Sequence, residues 1–252
     1  MIEIKNISNF DLRLRLLAGD SLYSGNIEVK PLTIREVKDV GYLNYNKYLG
    51  VLMLKKEELI KEDIPELRDL TVFDIILISG NEILIDALID ALCFFLKEDR
   101  DKITASEVGL IFGFEDFDKA RVVNSKNFSE IVEIVKYQNC VKNSNEMIEV
   151  NTAVDDRAKK IAEKIKKYKE VITKKKSQSN DANDIDFADI VSAVSTKSNT
   201  YNKHTIWDCT VYQLYDEYKR LEMISGYETN ILAMVNGAKI DNLKHWSAKM
   251  EE

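Results

Sequence analysis

Only two prolines, Pro31 and Pro65, and nine glycines occur in 252 residues. Breakers this sparse permit long helices and argue against an all-β sandwich, which needs frequent turns. Cysteine is scarce as well. Cys93, Cys140 and Cys209 lie far apart and are odd in number, so neither a disulfide framework nor a CxxC metal spacing can be read from them. The expectation is buried, reduced thiols in a cytoplasmic chain. The two histidines, His204 and His245, have no metal-ligand spacing to each other or to Cys209, and no metal or other cofactor is expected. The most hydrophobic region, 72–96, is interrupted by Asp74, Glu82, Asp86, Asp90 and Gly80-Asn81, so it falls short of the roughly 20 mostly apolar residues of a membrane helix. The opening Met-Ile-Glu-Ile-Lys lacks the basic and apolar regions of a signal peptide. A soluble chain with no membrane partner is expected.

Catalytic signatures are missing too. There is no GxSxG, no Walker A, no glycine-rich phosphate loop after a strand and no HExxH. Asp86 and Asp90 stand at i and i+4 on one face of a helix. They read either as a metal or acid–base pair or as a solvated stripe, and the lack of a nearby His or third acidic ligand favours the stripe. An enzyme is not expected.

What is present is a globular composition, 45% hydrophobic and 31% charged, with a formal net charge of −7. The acidic balance argues against nucleic acid as the partner of the chain as a whole. The patterns predict a mainly α chain of α+β class. Ile2, Ile4 and Ile7, then Leu12, Leu14 and Leu16, alternate with period two and predict short strands. With turn signals at 19–21 and 24–26, and Ile27 and Val29 before Pro31, they suggest a small N-terminal antiparallel β element. Thr33 with Glu36 fits a capping box. Helical spacing follows over 42–60, in a short helix after Thr71 stopped by Gly80, over 83–96 and over 129–141. Short strands are expected at 103–104 and 122–123, and 106–112 fits a short helix or a strand.

Four segments are expected: an N-terminal α+β domain over 1–150, a charged helix over 151–176, a flexible polar linker over 177–184 and a C-terminal helical domain over 185–252. Residues 155–176 hold ten Lys or Arg and four Asp or Glu, so this stretch is +6 and the rest of the chain is −13. Ile161, Ile165, Tyr168 and Ile172 form a narrow apolar seam on it. Lys164, Lys166, Lys167 and Lys169 are the candidates for electrostatic contact, with phosphates, an acidic partner or the chain's own acidic part; a solvated helix face that offsets the acidity of the rest is the favoured reading. In the C-terminal segment, Thr210 fits a cap for a helix carrying Val211, Leu214, Tyr215, Tyr218, Leu221 and Ile224, with Gly226 as a break or bend. Trp207, Tyr212, Tyr215, Tyr218, Tyr227 and Trp246 make the region rich in aromatics. Such side chains serve either as binding anchors or as the core of a small bundle. The candidate partner-binding residues are Trp207, Val211, Leu214, Tyr215, Tyr218, Leu221 and Trp246.

The stretch Thr205-Ile-Trp-Asp-Cys-Thr-Val-Tyr-Gln-Leu-Tyr-Asp-Glu-Tyr-Lys-Arg-Leu and the later Gly237-Ala-Lys-Ile-Asp-Asn-Leu-Lys-His-Trp resemble segments of the tail assembly chaperones of phages of Gram-positive bacteria. Upstream, Asn127-Phe128 opening a helix that ends in Gln138-Asn139-Cys140, then the Lys-rich segment and the polar linker, are similar in arrangement. The resemblance covers the second half of the chain and, through Pro31-Leu-Thr-Ile-Arg-Glu-Val, touches the first loosely. It implies a non-enzymatic holdase in the host cytoplasm that coats the tape measure protein during tail assembly, with other tail proteins or a second copy as further partners. It carries no catalytic residues over. Two other readings stay open: a structural component of the tail or baseplate, and a nucleic-acid-binding protein acting through 157–176.

Overall fold

The computed structural model describes residues 4–60, 67–113, 120–141, 185–240 and 243–249. The expected charged helix, the linker and the boundary near residue 150 lie outside them.

The chain opens with a helix where strands were expected. Helix α1 spans Asn9–Ala18. The Ser8 hydroxyl accepts the Asp11 N–H at 3.1 Å, and Gly19, at φ 77°, closes the other end by donating to the Arg15 and Leu16 carbonyls. These caps decide the matter. Leu12 and Leu16, four residues apart, are buried together, while Leu14 faces outward at 50% exposure; alternation in sequence became two faces of one helix. The expected hairpin does form just after it: β1 (Leu22–Ser24) and β2 (Ile27–Val29) pair antiparallel through Gly25-Asn26, with Leu22 opposite Val29. Leu22, Ser24, Ile27 and Val29 point inward.

Helices α2 (Ile34–Val40), α3 (Tyr42–Leu52) and α4 (Lys56–Leu59) follow. The single helix expected over 42–60 is split, because the Lys55 N–H is capped by the Glu58 carboxylate at 2.8 Å and starts a new turn. Thr71 caps α5 (Val72–Ile78), and Asn81 caps α6 (Glu82–Leu96). Leu88, Ala91 and Leu92 of α6 are fully buried; α3 packs along it, with Tyr48 and Phe94 ring centroids 5.5 Å apart.

Strands β3 (Ile103–Ser106), β4 (Gly109–Phe112) and β5 (Arg121–Val123) form an antiparallel meander in that order. Gly109 has φ 130°, and a Cβ there would stand 2.2 Å from the Val123 carbonyl oxygen, so only glycine lets the strands close. Helix α7 (Phe128–Gln138) buries Ile131, Ile134 and Val135, and the buried Gln138 amide donates to the Val29 carbonyl at 2.9 Å.

Beyond residue 185 come α8 (Phe187–Lys197) and α9 (Val211–Val235). They pack on each other and on the first half of the chain. Ile190, Val194, Ile206, Val211 and Leu214 belong to the same apolar core as Leu12, Leu32, Ile34 and Val135. Among the described residues no helix is long and apolar enough to cross a membrane.

Because one core serves both parts, Leu214→Ala is expected to cost about 2–5 kcal/mol and to lower a single urea-unfolding transition of the whole chain. Two separated transitions, with only the later one shifted, would contradict a shared core. Gly109→Ala should lower the midpoint as well, through backbone collision rather than lost burial.

Candidate protein-interaction surface on the last helix

The position of α9 is set at its first turn. Residues 32–34 and 209–211 meet as a short antiparallel bridge: the Ile34 N–H donates to the Cys209 carbonyl at 2.9 Å and the Val211 N–H to the Leu32 carbonyl at 3.0 Å. Each strand of this bridge is also a helix cap. The Thr33 hydroxyl accepts from the Glu36 N–H while the Glu36 carboxylate accepts from the Thr33 N–H at 2.7 Å. Likewise, the Thr210 hydroxyl accepts from the Gln213 N–H and the Gln213 side-chain oxygen accepts from the Thr210 N–H at 3.0 Å. Two capping boxes are thus clasped face to face. The Gln213 amide then donates to the Leu17 carbonyl at the end of α1, at 2.8 Å, and Arg35 donates to Asp208 through two nitrogens at 2.9 and 3.2 Å. At the far side Tyr42 stacks on Phe187 at 5.0 Å, and the buried Tyr45 hydroxyl donates to Asn139 at 3.0 Å.

The clasp distributes the sequence-predicted residues between core and surface. Val211 and Leu214 have 0% exposure and offer no face to another protein in the folded chain. Tyr215 is half-buried near Phe187, at 6.3 Å between centroids, and burial pushes its phenol up to about 12. Tyr218 and Leu221 are half-buried against the core. Trp207 is half-buried; its indole N–H donates to the Lys203 carbonyl at 2.9 Å, and the Lys38 ammonium lies 5.9 Å from its ring. Trp246 is 42% exposed. The candidates Lys164, Lys166, Lys167 and Lys169 lie outside the described residues.

Helix α9 does not break at Gly226. It continues unbroken to Val235. One glycine costs about 1 kcal/mol in a helix, too little to end a helix capped and packed at its start. The end comes at Asn236-Gly237, where Gly237 takes φ 91° and the Asn236 amide donates to the Leu232 carbonyl at 2.8 Å. The chain then returns along the helix. Arg220 donates to the carbonyls of Trp246 at 2.8 Å and Ala248 at 3.1 Å, and the Tyr227 and His245 rings lie 5.2 Å apart.

Support from the body gives out before the helix does. Past Ser225, which receives the Lys197 ammonium from the end of α8, Ile231, Leu232, Met234 and Val235 stand 38%, 63%, 43% and 78% exposed. The spacing of Ile231, Leu232 and Val235 continues the apolar pattern up to Asn236-Gly237; periodicity shows such a stripe, whereas exposure depends on where the packing partner stops. A second exposed stripe, Phe10, Leu14 and Leu17 on α1, was hidden by the strand reading.

Other chemistry is confined by its surroundings. Arg100 bonds both Asp86, at 2.5 Å, and Asp90, so the acidic pair is held by a cation. Among the described residues no three His, Cys, Asp or Glu side chains group as a metal site requires; His245 instead meets Ser247, at 2.7 Å. Burial pushes the thiols of Cys93, Cys140 and Cys209 each up to about 11, which leaves little nucleophilic thiolate at neutral pH.

Residues 174–251, under a third of the chain, match a family model described as the second domain of YomV, a phage- or prophage-related protein of Bacillus. The matched stretch contains α8, α9 and the returning tail. No curated protein and no solved structure matches the chain.

The clasp has a pH signature. Partial burial works to raise the Glu36 carboxyl, but the Lys97 ammonium at 2.5 Å and the Thr33 N–H and hydroxyl outweigh it, and the net shift is downward. A carboxyl lowered in the folded state stabilises the fold above its unfolded value and loses that contribution as pH falls through the folded one. Glu36→Gln should therefore reduce the drop in urea midpoint between neutral pH and about pH 3; an unchanged drop would remove Glu36 from the account. The three thiols should alkylate slowly with iodoacetamide in native buffer and rapidly in urea.

Proposed function

We propose that this chain is a non-catalytic tail assembly chaperone of a phage or prophage, acting in the bacterial cytoplasm and holding the tape measure protein soluble through the exposed end of α9. The observation that carries the reading is the helix that outruns its own core. Four large aliphatic side chains stand exposed within five residues of α9, and contiguous apolar surface of this kind marks a protein-interaction site. The C-terminal match to a domain of a phage-related protein and the resemblance of residues 205–221 to tail assembly chaperones point to the same setting. The binding set is revised accordingly. It moves to Ile231, Leu232, Met234 and Val235: Tyr218 and Leu221 are half-buried against the core about three turns earlier, and Val211 and Leu214 hold α9 to the body, while Trp246 stays exposed.

Co-expression with the tape measure protein of the same phage or prophage tests the role. Wild type should keep that protein in the soluble fraction. The double variant Leu232→Asp/Val235→Asp, at two exposed positions, should fold as wild type by circular dichroism and lose most of that protection. If the partner is equally insoluble with and without this chain, the chaperone role fails. If this chain is present in purified particles, it is a structural tail component instead.

A further inference from the structure

Among the described residues, the stripe on α9 has an occupant over its first half and none over its second. Leu214, Tyr218, Leu221, Ser225 and Leu232 follow at intervals of four, three, four and seven, so they share one face of the helix. Helix α8 occupies the earlier part: Phe187 meets Tyr215, the Ser198 hydroxyl donates to Glu217 at 2.6 Å and Lys197 reaches Ser225. Ile190 and Val194 of α8 are buried in the shared core. Beyond Ser225 the face continues as Leu232, with Val235 next to it and Ile231 and Met234 further round the helix, all four exposed.

We infer that the bare end of α9 is the docking site for one amphipathic helix of a partner protein, which presents an aliphatic face and extends the row that α8 begins. This rests on the protein-binding reading above and names the class of partner. Three features select that occupant. The face is continuous with the α8–α9 contact, in which an 11-residue amphipathic helix already packs on α9. Residues 229–238 carry no charge in a chain that is 31% charged, so the contact asks the partner for apolar groups and not for ion pairs. Four side chains over little more than one turn present a patch of a few hundred Å² at most, below the roughly 800 Å² per partner of a standard stable interface. A permanent dimer through this patch alone is therefore undersupplied, whereas a single helix that binds and leaves is matched to it.

The test uses the full chain and a fluorescein-labelled peptide of about 14 residues, four helical turns, built from Leu, Ala and Gln with Leu at i, i+3, i+4 and i+7. A peptide of the same composition with the stripe scrambled is the control. Fluorescence anisotropy should show saturable binding of the striped peptide, little changed between about 50 and 500 mM NaCl, and at least about tenfold weaker for Leu232→Asp/Val235→Asp. The double variant must keep the wild-type urea midpoint. Equal binding of the scrambled peptide, equal binding by the double variant, or no binding at all overturns the inference. So does a concentration-dependent dimer in sedimentation that the double variant abolishes, since a second copy would then be the occupant. Loss of peptide binding with retained protection in co-expression would sink the helix-docking inference and leave the chaperone reading standing.

Discussion

The start of the last helix is fixed by two backbone hydrogen bonds and the threonines between them. The bridge between 32–34 and 209–211 joins segments about 175 residues apart in the chain and does so with backbone groups that already begin two helices. A helix start leaves N–H groups without intrahelical partners. Here the threonine hydroxyls accept one on each side, and the bridge satisfies the flanking N–H groups of Ile34 and Val211. The side chains next to the bridge, Leu32, Ile34, Cys209 and Val211, are all buried. Polar pairing and apolar burial thus coincide at one point, and the direction of α9 is set there.

A long helix anchored at one end has an unequal life along its length. Its first turns are core, its middle is covered by α8, and its last turns reach past both. Among the described residues nothing covers the apolar side chains of the last part, and the proposed partner is placed there for that reason. The returning tail, fixed by Arg220 to the carbonyls of Trp246 and Ala248 and meeting Tyr227 through His245, lies along the middle of the helix, and Leu232 and Val235 stay exposed. The surface is in this sense left over by the fold and held in place by it.

Much of the architecture was legible from local signals. The box at Thr33, the cap at Thr210, the short helix after Thr71, the apolar helix over 83–96 and the strand at Val122-Val123 all follow from side chains within a few residues of each other, and the structure has each of them. The failures were local too, but involved competition. At Leu12, Leu14 and Leu16 a period-two pattern was outweighed by Ser8 and Gly19 caps, and at Gly226 a breaker was overridden by a helix secured elsewhere. The aromatic stretch was legible as a stripe, yet which of its residues face the body could not be read from spacing.

By itself the sequence determined the helical class, several of the caps and an apolar stripe that begins at Val211 and continues toward Val235. These follow from short-range geometry: which side chain can reach which N–H, and which positions share a helix face. Only the tertiary structure decided that Val211 and Leu214 are core while Leu232 and Val235 are surface. Those four residues are chemically alike and lie on one helix. What separates them is how far the rest of the molecule extends along it, a quantity set by contacts with Leu32, Leu17 and α8 that no local pattern encodes.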